Sequence, residues 1–366
     1  MTHASKARKY EPRKVPEGKP VATSAMIASL AAEGYDTVPA PFGHALVEAA
    51  QDDPRLVGLS ADLSKYTDLH VFANAMPERF YQMGMAEQLL FSAAAGLARE
   101  GFIPFATTYA VFAARRAYDF IAMAIAEENL PVKIACALPG LTTGYGPSHQ
   151  ATEDLAIFRG LPDMVLIDPC DACDVAGMVP AMIAHPGPVY ARLLRGKVPS
   201  VLTRHKPDYR FELGRAQMIR EGRDVLVISS GIMTMRALDA ADILAKDGID
   251  VAVLHTPTIK PLDPETILAE AGRGGRLLVT AENHSVNGGL GEAVAATLLL
   301  LFAETTSLAQ AGFFGPQHIS AGVGYYPEEP GCQATASESP EGTVAGQERL
   351  LGDVLGRRPV SHSRPP

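Results

Sequence analysis

From about residue 40 the chain alternates short apolar runs with longer stretches of helical period. The apolar runs at 56–59, 103–105, 132–137, 164–167 and 189–193 read as buried strands. Between them, 42–50, 85–100, 111–128 and 172–184 repeat apolar residues at helical spacing. A polar stretch with Pro207 follows at 199–210, and the alternation then resumes. Strands are predicted at 224–229, 251–254 and 276–280, and helices at 233–247, 264–271 and 291–303, with Gly248 as a C-cap. Alternating strands and helices predict an α/β protein of two doubly wound domains with mostly parallel sheets. The expected divisions are a first domain at 40–198, a linker at 199–222 and a second domain at 223–303. Residues 1–39 read as a basic arm and lead-in, with a short apolar stretch at 21–32. Periodicity fades over 304–366, which is rich in Gly, Pro and Ser and reads as an irregular, atypical tail.

Composition narrows the function. A chain of 366 residues, 47% hydrophobic and 20% charged, has the balance of a globular protein with ample core. The net charge of −9 argues against a nucleic-acid partner. No apolar run reaches the roughly 18–20 residues that a membrane span needs. The basic N-terminus lacks the apolar core of a secretory signal. Four cysteines are too few for a disulfide scaffold, so a reducing cytoplasm is expected.

Several residue groups could carry chemistry. Cys170 and Cys173 form a CxxC at a predicted helix start. No second pair completes a zinc set, and two small residues at a helix–sheet junction is the favoured reading over a redox pair. Gly288-Gly289-Leu290-Gly291 precedes a helix and could cradle a phosphate, but a tight strand-to-helix turn is favoured. Glu87 opens an apolar helix among Leu89, Leu90 and Phe91. In so dry a setting its carboxyl is expected to titrate high and to exchange a proton with a bound base; the alternative is an ordinary first-turn acid facing the helix dipole. If their segment is helical, Tyr109 and Phe112 share a face on which a flat ligand could stack, or they are core. His149 lies in a Gly- and Pro-containing loop after a strand, where α/β sheets place binding groups. Arg195 follows the strand at 189–193 and suits a carboxylate or phosphate.

The order of these motifs resembles the transketolase family: Ser60-Ala61-Asp62-Leu63, Gly84-Met85-Ala86-Glu87-Gln88, Tyr109-x-x-Phe112, Gly146-Pro147-Ser148-His149-Gln150 and Leu194-Arg195-Gly196. The likeness spans about residues 40–300, the family's pyrimidine-binding and C-terminal domains. It implies thiamine diphosphate as cofactor, bound between two domains from different protomers. Glu87 would be the glutamate that bonds a ring nitrogen of the aminopyrimidine and sets its tautomer. Tyr109 and Phe112 would stack on that ring, and Asp62 would lie near the thiazolium. His149 would contact donor-sugar oxygens, and Arg195 would bind substrate or its phosphate. Arg115 and Arg116 stand where relatives have one arginine, and either could be its equivalent.

Three departures from the family qualify what is implied. The diphosphate-binding domain, with its Gly-Asp-Gly and downstream Asn, is missing, so a partner subunit is expected to hold the diphosphate and its Mg2+ or Ca2+. Tyr145 stands where many transketolases have an acid, which changes the expected donor. The tail after about residue 303 does not continue the family's last strand and helix. The expectation is the C-terminal subunit of a split transketolase that transfers a two-carbon ketol unit between sugars or sugar phosphates and assembles as a dimer or heterotetramer. The rivals are the β subunit of a 2-oxoacid dehydrogenase, which has the same two domains, and a non-catalytic assembly subunit.

Overall fold

The computed structural model describes residues 35–306; the basic arm, the apolar stretch at 21–32 and the tail beyond 306 lie outside the described residues. The elements run β1 (Thr37–Pro39), α1 (Pro41–Asp52), β2 (Leu56–Ser60), α2 (His70–Ala75), β3 (Phe80–Gln82), α3 (Glu87–Arg99), β4 (Ile103–Tyr109), α4 (Ala110–Arg116), α5 (Tyr118–Ile121), β5 (Lys133–Ala137), α6 (Asp154–Arg159), β6 (Val165–Ile167), α7 (Ala172–Ala184), β7 (Val189–Leu193) and β8 (Lys197–Pro199). They continue with α8 (Leu202–His205), β9 (Gln217–Arg220), β10 (Val225–Ser229), α9 (Ile232–Leu244), β11 (Val251–His255), β12 (Thr258–Lys260), α10 (Pro264–Ala271), β13 (Leu277–Ala281) and α11 (Leu290–Thr306).

The first sheet has the order β12-β6-β7-β5-β4-β2-β3, parallel throughout except for β12. Its central strands β2, β4, β5 and β7 are buried along their whole length, so they read as continuous apolar runs. Phe42 and Leu46 of α1 and Val175, Met178 and Met182 of α7 belong to one core cluster. Leu90 and Phe91 of α3, Ala113 of α4 and Phe158 of α6 belong to another. The second sheet runs β13-β10-β11-β9, with only β9 antiparallel.

Local signals set most helix ends. Pro41 opens α1, where a missing N–H costs nothing. The Asp171 carboxylate caps α7 by accepting from the N–H groups of Cys173 and Asp174. Asp263 caps α10 through Thr266 N–H. Gly248, at φ 79°, ends the short 3-10 turn that continues α9.

Two expectations are corrected. The single helix at 111–128 is broken into α4, α5 and a π-helical turn, Ala122–Ala126. Bonds reaching back five residues, Ala117 N–H to Phe112 O and Glu127 N–H to Ala122 O, widen the coil there. No Gly or Pro marks the change, so apolar period alone misses it. The stretch at 199–222 is not an open connection either. Tyr209 is fully buried and bonds Asp174, and Gln217–Arg220 form the edge strand β9.

The junction between the two halves is polar and buried. Arg192 of β7 bonds the Asp154 carboxylate (Nε to Oδ2, 2.9 Å), Ala151 O and Asn283 O, and Tyr190 O–H donates to the same Asp154 at 2.6 Å. Burial alone would raise the Asp154 carboxyl, but the Arg192 charge and these hydrogen bonds hold it below the ordinary carboxylate range. Replacing Arg192 with Met would leave that carboxylate buried and unpaired. We expect Arg192→Met to cost about 3–5 kcal/mol in denaturant unfolding; a loss under about 1 kcal/mol would show that the pair does not hold the junction.

Lys133 presents a second buried charge. Its Nζ donates to the carbonyls of His185 and Gly187, both at 2.7 Å, and burial pulls its pKa down to about 7. Between pH 7 and the ordinary lysine range the unfolded chain therefore binds one more proton than the folded one, so this group adds stability as pH rises. Relative to Lys133→Met, the wild type should gain up to about 1.4 kcal/mol per pH unit over that window. A pH-independent difference would refute the buried-lysine linkage.

Candidate active site

In the first sheet, β2, β3, β4, β5 and β7 are parallel, so their C-terminal ends share one edge. Six of the sequence-predicted residues lie at these ends: Asp62 after β2, Glu87 after β3, Tyr109 as the last residue of β4 with Phe112 on α4 just beyond it, His149 after β5 and Arg195 after β7. Tyr109 ends a strand, so the two aromatics do not share one helical face. This is the edge at which open α/β sheets bind ligands.

Glu87 is the first residue of α3 and is 1% exposed. Its Oε2 accepts from Arg116 Nη1 at 2.7 Å. Arg116 in turn lies over the Phe112 ring, 4.6 Å from its centroid. The i,i+4 spacing on α4 makes that cation–π contact possible. Tyr109 and Phe112 have centroids 5.7 Å apart, and the His149 ring stands edge-on to both, at 5.9 and 5.4 Å. Tyr145, more than half exposed, covers His149 at 5.2 Å. Ser148 Oγ lies 2.9 Å from His149 Nδ1. Burial raises the Tyr109 hydroxyl, opposed by the nearby Arg195 charge.

Arg195 lies over the Tyr66 ring at 5.6 Å, and its buried Nε has no hydrogen-bond partner among the described residues. Asp68 fixes the turn behind it by accepting Gly196 N–H at 2.8 Å. Asp62 adopts a left-handed backbone at φ 59° and donates its N–H to Gln82 Oε1, which holds its exposed side chain at the strand end.

The structure separates the two arginines that the sequence could not. Arg116 pairs with Glu87. Arg115 instead braces the His149 loop, pairing with Glu153 and donating to Pro147 O (2.9 Å) and Gln150 O (3.3 Å). Neither the Glu87–Arg116 pair nor the loop brace had a signal in the sequence beyond the presence of the arginines, because both partners are remote along the chain.

The remaining motifs are structural. Glu282 fills the Gly288–Gly291 turn, its carboxylate accepting the N–H groups of Leu290 and Gly291 at 2.7 and 2.8 Å. That helix start is thus satisfied from within the chain. Two recesses, of about 470 and 440 Å3, lie at the opposite, N-terminal strand ends and share no residue with the cluster around Glu87. Among the described residues no group of three His, Cys, Asp or Glu is placed to hold a metal, and no helix is long and apolar enough to cross a membrane.

A two-domain α/β protein whose strand ends carry a buried carboxylate linked through an arginine to an aromatic cluster is the class that fold and site define. Residues 37–200 match the transketolase pyrimidine-binding domain, and 214–322 match the transketolase C-terminal domain. The second match runs past residue 303, where periodicity had suggested an end. The chain is 67% identical over 290 residues to the transketolase family protein y4mN of Sinorhizobium fredii, covering 79% of this chain and 84% of that one. It is 42% identical over 254 residues to a 6-deoxy-6-sulfo-D-fructose transketolase subunit, SqwH, of a Clostridium species, covering 69% and 78%. A solved structure described as a split gene transketolase, inactive beta4 tetramer, superposes with a TM-score of 0.65 at 48% identity, over 71% of this chain and 83% of that one. The chain belongs to the transketolase family.

The CxxC behaves oppositely to a redox pair. Cys170 is fully buried, and burial together with Asp171 and Asp174 pushes its thiol well above the usual range. Burial and the same two acids push Cys173 up to about 11. We expect Cys173, followed by peptide mapping, to alkylate with iodoacetamide at pH 8 at least about tenfold more slowly than a free thiol, since the thiolate is the nucleophile. Alkylation faster than the free thiol would restore the redox reading.

Proposed function

We propose that this chain is the pyrimidine-binding subunit of a split transketolase that depends on thiamine diphosphate and acts in the cytoplasm. It would move a two-carbon ketol unit between sugars or sugar phosphates. A separate subunit would hold the diphosphate and its Mg2+ or Ca2+. The observation that carries this reading is Glu87: a carboxylate 1% exposed, at a helix start, joined through Arg116 to the Phe112 ring of the Tyr109–Phe112 pair. The named split-gene and subunit relatives support it.

The residues present fit the cofactor's organic half. When bound, thiamine diphosphate supplies stabilised carbanion chemistry for two-carbon transfer. Arg116 occupies Glu87 Oε2, and Oε1 is the oxygen left to hold or take a proton at a pyrimidine nitrogen. Phe112 and Tyr109 offer a face for that ring. Asp62, on its left-handed turn, would stand by the thiazolium side. Ser148 Oγ engages His149 Nδ1, so Nε2 is the ring nitrogen left to face a donor-sugar oxygen. The unpartnered Arg195 Nε would meet the substrate's anionic end. Tyr145 puts an uncharged ring on His149, which favours a donor differing from one bound through an acid there. Self-association to a dimer or heterotetramer is supported by Met85 and Leu89, which expose apolar surface beside Glu87.

The test is reconstitution with a chain carrying the family's diphosphate-binding domain, followed by ketol transfer from a ketose donor. We expect this chain alone to be inactive and the pair active. Glu87→Gln should lower turnover by about 10²–10⁴-fold with cofactor binding retained. Turnover within about threefold of wild type would make Glu87 a helix-dipole residue, and oxidation of a 2-oxoacid in place of ketol transfer would overturn the transketolase reading.

A further inference from the structure

The loop that carries His149 runs from the end of β5 to the start of α6. Its tip is exposed from Gly144 to Ser148 apart from a half-buried Gly146, and it contains no regular element. A segment like that takes its position from its base. The base is closed by Gly140 N–H donating to Ala151 O at 2.7 Å and by Gln150 Nε2 donating to Thr143 O at 3.0 Å.

The second domain grips both ends of that base with three consecutive residues. The Asn283 side chain lies along the incoming backbone: its Oδ1 accepts Leu141 N–H at 3.0 Å and its Nδ2 donates to Pro139 O at 3.3 Å. Ser285 N–H donates to Thr152 O at 2.8 Å on the outgoing side. His284 Nε2 accepts Ala156 N–H at 3.4 Å at the start of α6. The fit allows no side chain between them. Gly140 sits at φ +55°, and a Cβ there would lie 2.2 Å from Asn283 O and 2.4 Å from its amide carbon. Arg192 joins the two sides by donating to both Asn283 O and Ala151 O.

We propose that Asn283 is a positioning residue: through its paired bonds to residues 139–141, the C-terminal domain sets where His149 stands against Tyr109 and Phe112. The second domain then governs donor use without touching the donor. The kinetic part of this inference rests on the transketolase reading; the structural part does not.

Two arms test it. In the full chain alone, hydrogen exchange of amides 141–150 is compared between wild type, Asn283→Ala and Asn283→Asp. The Leu141 bond is exposed, so water can replace it and the fold should survive. We expect faster exchange in that segment for Asn283→Ala. Asn283→Asp, which keeps the acceptor for Leu141 and loses the donor to Pro139, should fall between. In the reconstituted pair, Asn283→Ala should lower donor kcat/KM by about 10- to 100-fold, mainly through KM, as a displaced positioning group does. In a His149→Ala background the same change should cost little more, because the effect passes through His149. Unchanged exchange at 141–150 would overturn the proposal, as would a full additional loss in the double variant. If the wild-type pair shows no ketol transfer, the functional reading fails, and the exchange arm still decides whether Asn283 holds the loop. Should Asn283→Ala fail to fold, the isosteric Asn283→Asp carries both arms.

Discussion

One guanidinium holds the geometry together. Arg192, 1% exposed, reaches the Asp154 carboxylate at the start of α6, the carbonyl of Ala151 at the end of the His149 loop and the carbonyl of Asn283 in the second domain, with Asp168 at 3.6 Å. Removing such a charge from water costs several kcal/mol, and only a full set of acceptors offsets it. The set is full because strand, loop, helix and second domain all converge on it. Each of these elements is therefore placed relative to the others by the requirement that the buried charge be satisfied. The arrangement explains why the domain junction is polar rather than greasy: Asp168 also receives Ser230 O–H, and Asp174 receives Tyr209 O–H and lies 2.8 Å from His255 Nε2.

Because the junction is specified by hydrogen bonds, the second domain can act on the site by geometry alone. It lends a strand, β12, to the first sheet, pairing with β6. It lends the segment 283–285 to the base of the His149 loop. Its own glycine turn is closed by Glu282 and offers no vacant donors at Leu290 or Gly291. Every side chain in the aromatic–carboxylate cluster, by contrast, comes from the first domain. The same polarity of design recurs at α4, where neighbouring arginines divide the work: Arg116 turns inward to the buried acid, and Arg115 turns outward to hold a loop.

What could be read from the chain follows from how far each interaction reaches. The central strands were legible because burial on both faces makes continuous apolar runs, and α7 and α10 because their apolar residues recur at helical spacing. The strand-end positions of Glu87, Tyr109, Phe112, His149 and Arg195 were legible through their motifs and the alternation of elements. The short strands β1, β3, β8, β9 and β12 were not, since three or four residues carry no period. The Ala122–Ala126 turn was missed because a π-helical turn has the same apolar character as the helix around it. Asn283 gave no signal because its partners, Pro139 and Leu141, lie more than 140 residues earlier in the chain.

Burial of Glu87 carries a final consequence. A carboxylate 1% exposed needs a partner, and Arg116 provides it from a side chain that is itself close to half exposed. The pair is thus shielded on the acid side and open on the base side. The residues flanking the acid, Met85 and Leu89, turn apolar surface outward, 80% and 53% exposed. An acid that is dry from within and edged by uncovered apolar side chains is only half enclosed by its own chain. Covering that edge would exclude water from Arg116 as well, and the lower local dielectric would strengthen its hold on Oε2. What packs against this edge would therefore set how firmly Arg116 holds the buried Glu87 carboxylate.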